Sequence, residues 1–400
     1  MHVAIVVQRY GVEVNGGSET LARQIAGLLA AEVDVTVLTT CALDYRTWAN
    51  HYEPGEDEVD GVRVLRFPVD APRDPHFDEL SARAYEAPAD KELGRAWMRA
   101  QGPRASALLD HLRSSGSEYD VVAFFTYLYA TTAEGLPIVA DRALLVPTVH
   151  DEPPLALRIF DEVFAAARLL IFSTPEECEL AGARFGVSDE RARVVGVGID
   201  EPPEAGGEAF RAANGIEHRY VLCLGRLDLS KGVGELVDYH AAYRRVVPDG
   251  LDLVLVGGGE LELAPAPWLH RLGFVPEQTK HDALAGAEVV VCPSPYESLS
   301  LAQLEAWSHC RPTLANAASP VLVGQSRRAG GGLWYRDADE YQAMLALLAR
   351  SRPLADAIGR QGRRYVRGAY SWKTVGEKWM QALADVARSA SAADAPIPRT

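Results

Sequence analysis

A chain of 400 residues is too long for one ordinary hydrophobic core, and with 48% hydrophobic and 24% charged residues it has the composition of a globular protein, so two domains are expected. Its 40 Lys and Arg against 55 Asp and Glu leave a net charge of -15, which argues against nucleic acid or an anionic membrane as the main partner and leaves only a local basic pocket open. Five cysteines, Cys41, Cys178, Cys223, Cys292 and Cys310, are far apart and form no C-x-x-C pair, so neither a disulfide framework nor a zinc site is indicated and a cytoplasmic location is expected.

The opening "MHVAIVV" has a short apolar run with no basic region before it, and it reads as a first buried strand rather than a signal peptide. No window approaches the roughly 18 uncharged apolar residues that a transmembrane helix needs. Runs rich in β-branched and aromatic residues follow at 3–7, 33–40, 62–67, 121–125, 143–148, 169–173 and 193–197, alternating with helical patterns. Residues 1–197 are therefore expected to form one doubly wound α/β domain. Between 198 and 219, Pro, Gly and acidic residues break every periodicity and predict a linker. A second alternating series, with strands at 220–225, 251–257, 271–275, 288–293 and 312–316, predicts a second doubly wound domain over 220–370. Apolar residues at helical spacing predict a last helix over 371–390, and 391–400 reads as a disordered tail. No internal repeat is evident.

The residues suited to chemistry all follow predicted strands, where doubly wound sheets bind their ligands. After the first strand, Asn15, Gly16 and Gly17 form a turn that opens a helix near Ser18. Two glycines admit close backbone approach and a helix start favours an anion, although an ordinary turn capped by Ser18 has the same pattern. His150 and Asp151 lie just beyond 143–148, where a His serves as acid, base or donor, or else caps and packs. In "CLGRLDLSKGVGEL", Arg226 and Lys231 sit in a loop that opens a helix. Two cations beside free helix amides make a diphosphate cradle; the alternative is a pair of solvated surface cations. Gly257, Gly258 and Gly259 end another strand, but neither G-x-G-x-x-G nor G-x-x-x-x-G-K-[ST] occurs, so a nucleoside triphosphatase has no support.

The stretch "SPYESLSLAQLE" carries Glu297 and Glu305 with seven residues between them. Ser300 and Gln303 have the S-x-x-Q form of a capping box, which starts a helix near Ser300, leaves Glu297 in the loop and puts Glu305 in the second turn. The free amides around Ser298 to Ala302 suit a phosphate or sugar oxygen. Two helix-start carboxylates favoured by the macrodipole are the alternative.

In combination these features resemble the retaining GT-B-fold glycosyltransferases of family 4, whose E-x7-E motif would be Glu297 to Glu305. The resemblance spans nearly the whole chain: the glycine turn, the His after a middle strand, "STPEECEL", "VVGVGID", "GRLDLSKG", "LVGGGE" and "CPSPYESLSLAQLEAW". It implies two Rossmann-like domains facing across a cleft, the first on the acceptor side, the second binding the nucleotide sugar, and the last helix crossing back to the first. It further implies retaining, metal-independent transfer of a hexosyl group, without a cofactor, from a UDP- or GDP-sugar to a small-molecule, glycan or lipid-linked acceptor. By the same likeness Arg226 and Lys231 would hold the diphosphate, Glu297 the donor-sugar hydroxyls and Glu305 the ribose. The amides of Ser298, Leu299 and Ser300 would hold sugar and phosphates, Gly258 would border the donor, and Phe274 and Val275 would meet the base. Gly17 would border the phosphates, while Asn15, Gly16, His150 and Asp151 would face the acceptor, His150 near the reacting centre.

Two local departures stand out. Where the family usually has E-G-F-G this chain has "ESLS", and where A-x-G-x-P is usual it has "SHCRP", with Cys310 in place of glycine. A glycine-free loop leaves less room and adds two hydroxyl donors beside the sugar. In "CALDYRTWANHYEPGED", Tyr45, Trp48 and Tyr52 either line an acceptor site or pack a loop. Two other readings remain at this stage: a sugar-nucleotide epimerase of the same architecture, and a non-catalytic sugar-nucleotide-binding protein.

Overall fold

The computed structural model describes residues 1–393 other than Asn15 and Glu260, with side chains through Ala390. The tail read at 391–400 lies outside these residues, apart from the helical backbone of 391–393. The chain divides into two compact units, Met1–Val197 with Gly376–Thr400, and Gly198–Val375.

The first unit is built on eight strands: β1 (His2–Val6), β2 (Asp34–Thr40), β3 (Gly55–Val59), β4 (Val62–Phe67), β5 (Val121–Phe125), β6 (Ala143–Val146), β7 (Leu169–Phe172) and β8 (Ala192–Val194), in the sheet order β3-β4-β2-β1-β5-β6-β7-β8. All pairs are parallel except β3 with β4. Parallel strands covered by helices on both faces are apolar throughout, and β5, Val-Val-Ala-Phe-Phe, is buried at every position. Because β1 lies between β2 and β5, the strand order reverses there, and the loops after β1 and β5 share the edge where such sheets bind ligands.

β3 escapes the sequence reading because "GEDEV" looks like an acidic loop. It is an edge strand whose charges discourage further pairing, with Glu56 and Asp57 held by Arg63 and Arg66 of β4 at 2.8 and 2.7 Å.

The second unit has six parallel strands: β9 (Tyr220–Leu224), β10 (Asp252–Val256), β11 (Leu269–Gly273), β12 (Val289–Cys292), β13 (Thr313–Asn316) and β14 (Gly332–Tyr335), in the order β11-β10-β9-β12-β13-β14. Its reversal falls between β9 and β12. β14 was not expected, since "GGGLWY" opens like a loop. A Cβ at Gly332 would overlap Thr313 Oγ1, so the glycine reflects close pairing with β13.

The segment 198–219, expected as a linker, is instead part of the second unit and contains a helix, Gly207–Ala213. Phe210 and Ile216 are buried with Tyr220, Ala283 and Leu284, and Gly207 rests on the Gly286 backbone, where any side chain would overlap. Its glycine content therefore marks tight packing rather than freedom. The final helix runs Trp372–Ala393. Trp372 covers Gly198 and donates from Nε1 to Asp200 Oδ1 at 2.8 Å, within the second unit. Residues from Gly376 on count with the first unit, where Trp379 stacks on Phe125 at 6.1 Å.

Candidate functional site

In the second unit the loops after β9, β10 and β11 are joined into one ledge. Gly225 N–H donates to Val256 O at 3.0 Å, Leu227 N–H to Gly258 O at 2.8 Å and Gly257 N–H to Gly273 O at 2.8 Å. Gly257 has φ +139 and a Cβ there would overlap Gly225 O, so no other residue fits this crossing. Phe274 lies against Gly258, where a side chain would overlap its ring, and leaves that ring 82% exposed as an apolar face at the end of β11. Val275, in contrast, turns inward and packs on the cluster of Leu222, Val254 and Leu284.

Asp228 organises the loop after β9. Its carboxylate accepts from Ser230 Oγ at 2.6 Å and Lys231 N–H at 2.9 Å and pairs with Arg226. Burial pushes the Asp228 carboxyl up, but these partners outweigh it and hold the group below its usual range. Gly232, at φ +71, lies on the Pro293 carbonyl, which draws this loop against the one after β12. Lys231 Nζ then meets Glu297 Oε1 at 2.9 Å. The pair is partly buried and stands at the β9/β12 reversal, joining two predicted residues that are 66 positions apart.

Beyond Glu297, the half-buried Ser298 and Leu299 lead to Ser300, the N-cap of the helix Leu301–Ser308. Ser300 Oγ accepts from Gln303 N–H at 3.4 Å, but the reciprocal half of the expected capping box is missing. The Gln303 side chain is buried and donates to Ser326 Oγ at 2.8 Å instead, because the helix face it occupies packs inward. Glu305 lies in the second turn, where Lys280 Nζ meets its Oε1 at 2.8 Å and Glu277 Oε1 at 2.6 Å. Burial works to lower the Lys280 pKa, yet the two carboxylates outweigh it and raise it above its ordinary value. Each glutamate of the motif thus has a lysine partner. Arg226 is brought to Asp228 rather than to Glu297. Cys310, two residues beyond the same helix, has φ +57, the left-handed region that explains why a glycine is usual there.

In the first unit the helix Gly17–Ala30 follows β1, with Gly16 as N-cap and no side-chain cap. Ser18, the cap in the ordinary-turn alternative, instead donates to Glu19 Oε2 at 2.8 Å. Glu19 folds back over Gly16, where a Cβ would overlap its carboxylate, and forms a buried pair with Arg9, whose Nε donates to Oε1 at 2.9 Å. Nothing lies within 4 Å of the place a Gly17 side chain would take, and Asn15 lies outside the described residues.

His150 Nε2 is 3.3 Å from Glu152 Oε2, while Tyr127 Oη donates to Glu152 Oε1 at 2.9 Å. Asp151 is exposed. Glu177 fixes the loop that carries His150 by accepting Val149 N–H at 2.8 Å and Ser173 N–H at 2.6 Å. Burial pushes its carboxyl up to about 8 against those two amides and His150. Trp48 is buried and donates to Gln101 O at 2.6 Å, and Tyr52 is half-buried with Arg66 3.9 Å over its ring, so both pack the loop. Tyr45 remains partly exposed.

Asp228, Lys280, Glu152, Glu177 and the Arg9–Glu19 pair were not singled out from the sequence. All but Lys280 lay in the stretches that drew attention to Gly16, His150, Lys231 and "STPEECEL"; Lys280 alone lay outside them, because its partner Glu305 is 25 positions away and is brought to it by the strand order.

Residues 218–350 match the family described as glycosyl transferases group 1. This stretch contains the ledge, the Lys231–Glu297 pair and the Glu305 helix. Residues 218–350 are a group 1 glycosyltransferase domain. The chain is also 29% identical over 203 residues to an MMP α-(1→4)-mannosyltransferase of Mycolicibacterium hassiacum, covering 48% of this chain and 47% of that protein. It spans about half the length of the curated relatives that it matches first. Two solved structures extend the likeness to nearly the whole chain. Sucrose-phosphate synthase from Thermosynechococcus elongatus superposes with a TM-score of 0.70 at 18% identity, over 96% of this chain and 98% of that one. The Anabaena protein HepE, solved with UDP-glucose, gives 0.65 at 16% identity, over 96% and 100%. At such identities the likeness establishes the fold alone, which is GT-B with two parallel-sheet domains. No helix among the described residues is long and apolar enough to cross a membrane.

Proposed function

We propose that the chain is a retaining glycosyltransferase that moves a hexosyl group from a nucleoside-diphosphate sugar, a UDP- or GDP-sugar, to an acceptor hydroxyl. The observation that carries this reading is the Lys231–Glu297 pair at 2.9 Å, at the strand reversal of the group 1 domain. Lys231 and Arg226 bind the diphosphate, Glu297 the sugar hydroxyls, and the amides from Ser298 to Ser300 the sugar and phosphate oxygens. Glu305, oriented by Lys280, takes the ribose, and Phe274 offers its exposed ring to the base. Phosphate binding draws Lys231 toward the diphosphate and frees Glu297 Oε1 for the sugar.

In the reaction the bond from the anomeric carbon to the β-phosphate oxygen breaks and its electron pair leaves with the diphosphate. The two cations and the helix-start amides stabilise that charge, so the transfer needs no metal ion. The acceptor oxygen bonds to the anomeric carbon on the same face, where the departing phosphate oxygen stands ready for its proton, and the configuration is retained. The first unit binds the acceptor through the loops after β1 and β6, with Gly16, Gly17, His150 and Asp151.

A panel of UDP-, GDP- and ADP-sugars tests this by thermal shift and by slow donor hydrolysis, because a ligand that binds the folded chain raises its unfolding temperature. One donor class should stabilise and turn over, with activity unchanged by a chelator and an anomeric proton coupling in the product like that of the donor. Stabilisation by none of them, or conversion of the donor into an epimer without acceptor, would remove the transferase reading.

A further inference from the structure

The loops that carry Lys231 and Glu297 meet at one carbonyl. Pro293, just after β12, is buried, and Gly232, next to Lys231, lies so close to its oxygen that a Cβ there would stand 2.4 Å from it. The side chain of Asn316, the last residue of β13, donates from Nδ2 to the same oxygen at 2.8 Å. A buried carbonyl needs a donor, and here a side chain of the neighbouring strand supplies it. Asn316 is itself buried, and its amide is held in one orientation: Oδ1 accepts from Ala318 N–H at 2.9 Å, so the NH2 group faces Pro293.

From Pro293 the position is passed on in two directions. Ser294 Oγ donates to Tyr296 O at 2.9 Å and braces the segment that leads from Pro293 to Glu297. Asp228 accepts from Lys231 N–H at 2.9 Å, so the Lys231 loop is held between Asp228 and the Pro293 carbonyl. With both loops referred to one oxygen, Lys231 Nζ and Glu297 Oε1 come to 2.9 Å. A shift of that oxygen alters the spacing of the pair, and misplacement by about 1 Å at a reacting centre costs on the order of 10²-fold in rate.

We propose that Asn316 is a positioning residue of the donor site, which sets the spacing of Lys231 and Glu297 by holding the Pro293 carbonyl. Its effect on turnover rests on the transferase reading, while its effect on Lys231 does not.

Asn316→Asp keeps the shape of the side chain and the acceptor for Ala318 N–H, but puts an oxygen where Nδ2 stood. Protonated, the acid donates to Pro293 as the amide does; ionised, it faces that oxygen with no proton between them, and burial raises its pKa. Its kcat/KM for the donor should therefore match the wild type in acid and fall about tenfold or more below it as the carboxyl ionises. A role confined to stability would lower the unfolding temperature and leave the ratio to wild type, per folded molecule, flat with pH. Asn316→Ala, which adds no charge, should be low at every pH. A second arm needs no donor. The lysines of the chain are Lys91, Lys231, Lys280, Lys373 and Lys378, few enough to follow one by one by NMR of isotope-labelled lysine. In Asn316→Ala the Lys231 signal should move while those of Lys91, Lys373 and Lys378 stay. Where Asn316→Ala fails to fold, Asn316→Asp decides, because its protonated form keeps every hydrogen bond of the amide. A flat ratio in Asn316→Asp, wild-type kcat/KM in Asn316→Ala, or an unmoved Lys231 signal in the folded variant would each overturn the assignment. No turnover of any nucleotide sugar by the wild type, with the Lys231 shift intact, contradicts the transferase reading and leaves the role of Asn316 standing.

Discussion

Cys310 holds a left-handed backbone, φ +57, that costs an ordinary residue roughly 1–2 kcal/mol. Glycine removes that strain but loses more entropy on folding, so Cys310→Gly should stabilise the chain by about 0.5–1 kcal/mol, read as a higher unfolding temperature. Lys280 makes a different prediction. It holds Glu305 at 2.8 Å from outside the motif, so Lys280→Met should raise KM for the donor about tenfold and leave kcat within a fewfold, as expected where an orienting partner of a binding group is removed. Steady-state kinetics with saturating acceptor separates the two constants, and a fall confined to kcat would place Lys280 in the chemistry instead. At this scale the sequence was informative about residue types and poor about partners. Glu297, Glu305, Arg226 and Lys231 were all legible as chemistry-bearing, but Lys231 meets a residue 66 positions away and Lys280 one that is 25 away. No local pattern encodes such pairs, because the strand order creates them.

Among the elements, apolar runs such as Val-Val-Ala-Phe-Phe declared the buried strands, since only a sheet covered on both faces stays apolar at every position. The reading failed where packing overrode composition: acidic β3 on an edge, glycine-led β14 beside Thr313, and the glycine-rich segment at 198–219 that packs a helix on Gly286. The ledge depends on one such glycine. Gly257→Ala forces a side chain into Gly225 O at a left-handed φ, and should destabilise the domain by about 2–3 kcal/mol in urea unfolding. Glu177, which fixes the His150 loop, predicts a pH dependence. The folded chain retains its proton up to about pH 8, against an ordinary value of 4.5, so its stabilisation is complete below about 4.5 and is lost as the pH rises through 8. Relative to Glu177→Gln, the wild type should therefore lose roughly 2–4 kcal/mol between about pH 5 and pH 8.5. Parallel pH profiles of the two proteins would contradict that assignment.

For the whole molecule, the two strand reversals place the ligand-binding edges, β1/β5 in one unit and β9/β12 in the other. The alternation of strands and helices was enough to predict two doubly wound domains, while the net charge of -15 said nothing of where the local cations stand. An acidic chain attracts an anionic substrate only through local cations, and the proposed diphosphate site at Lys231 with Arg226 is of that kind. The most direct test of the account is turnover of the stabilising nucleotide sugar by the wild type, Lys231→Ala and Glu297→Ala, each checked for folding. Both variants should lose about 100-fold or more in kcat, since each removes a group that acts on the diphosphate or the transferred sugar. Turnover within a fewfold of the wild type in both would contradict it.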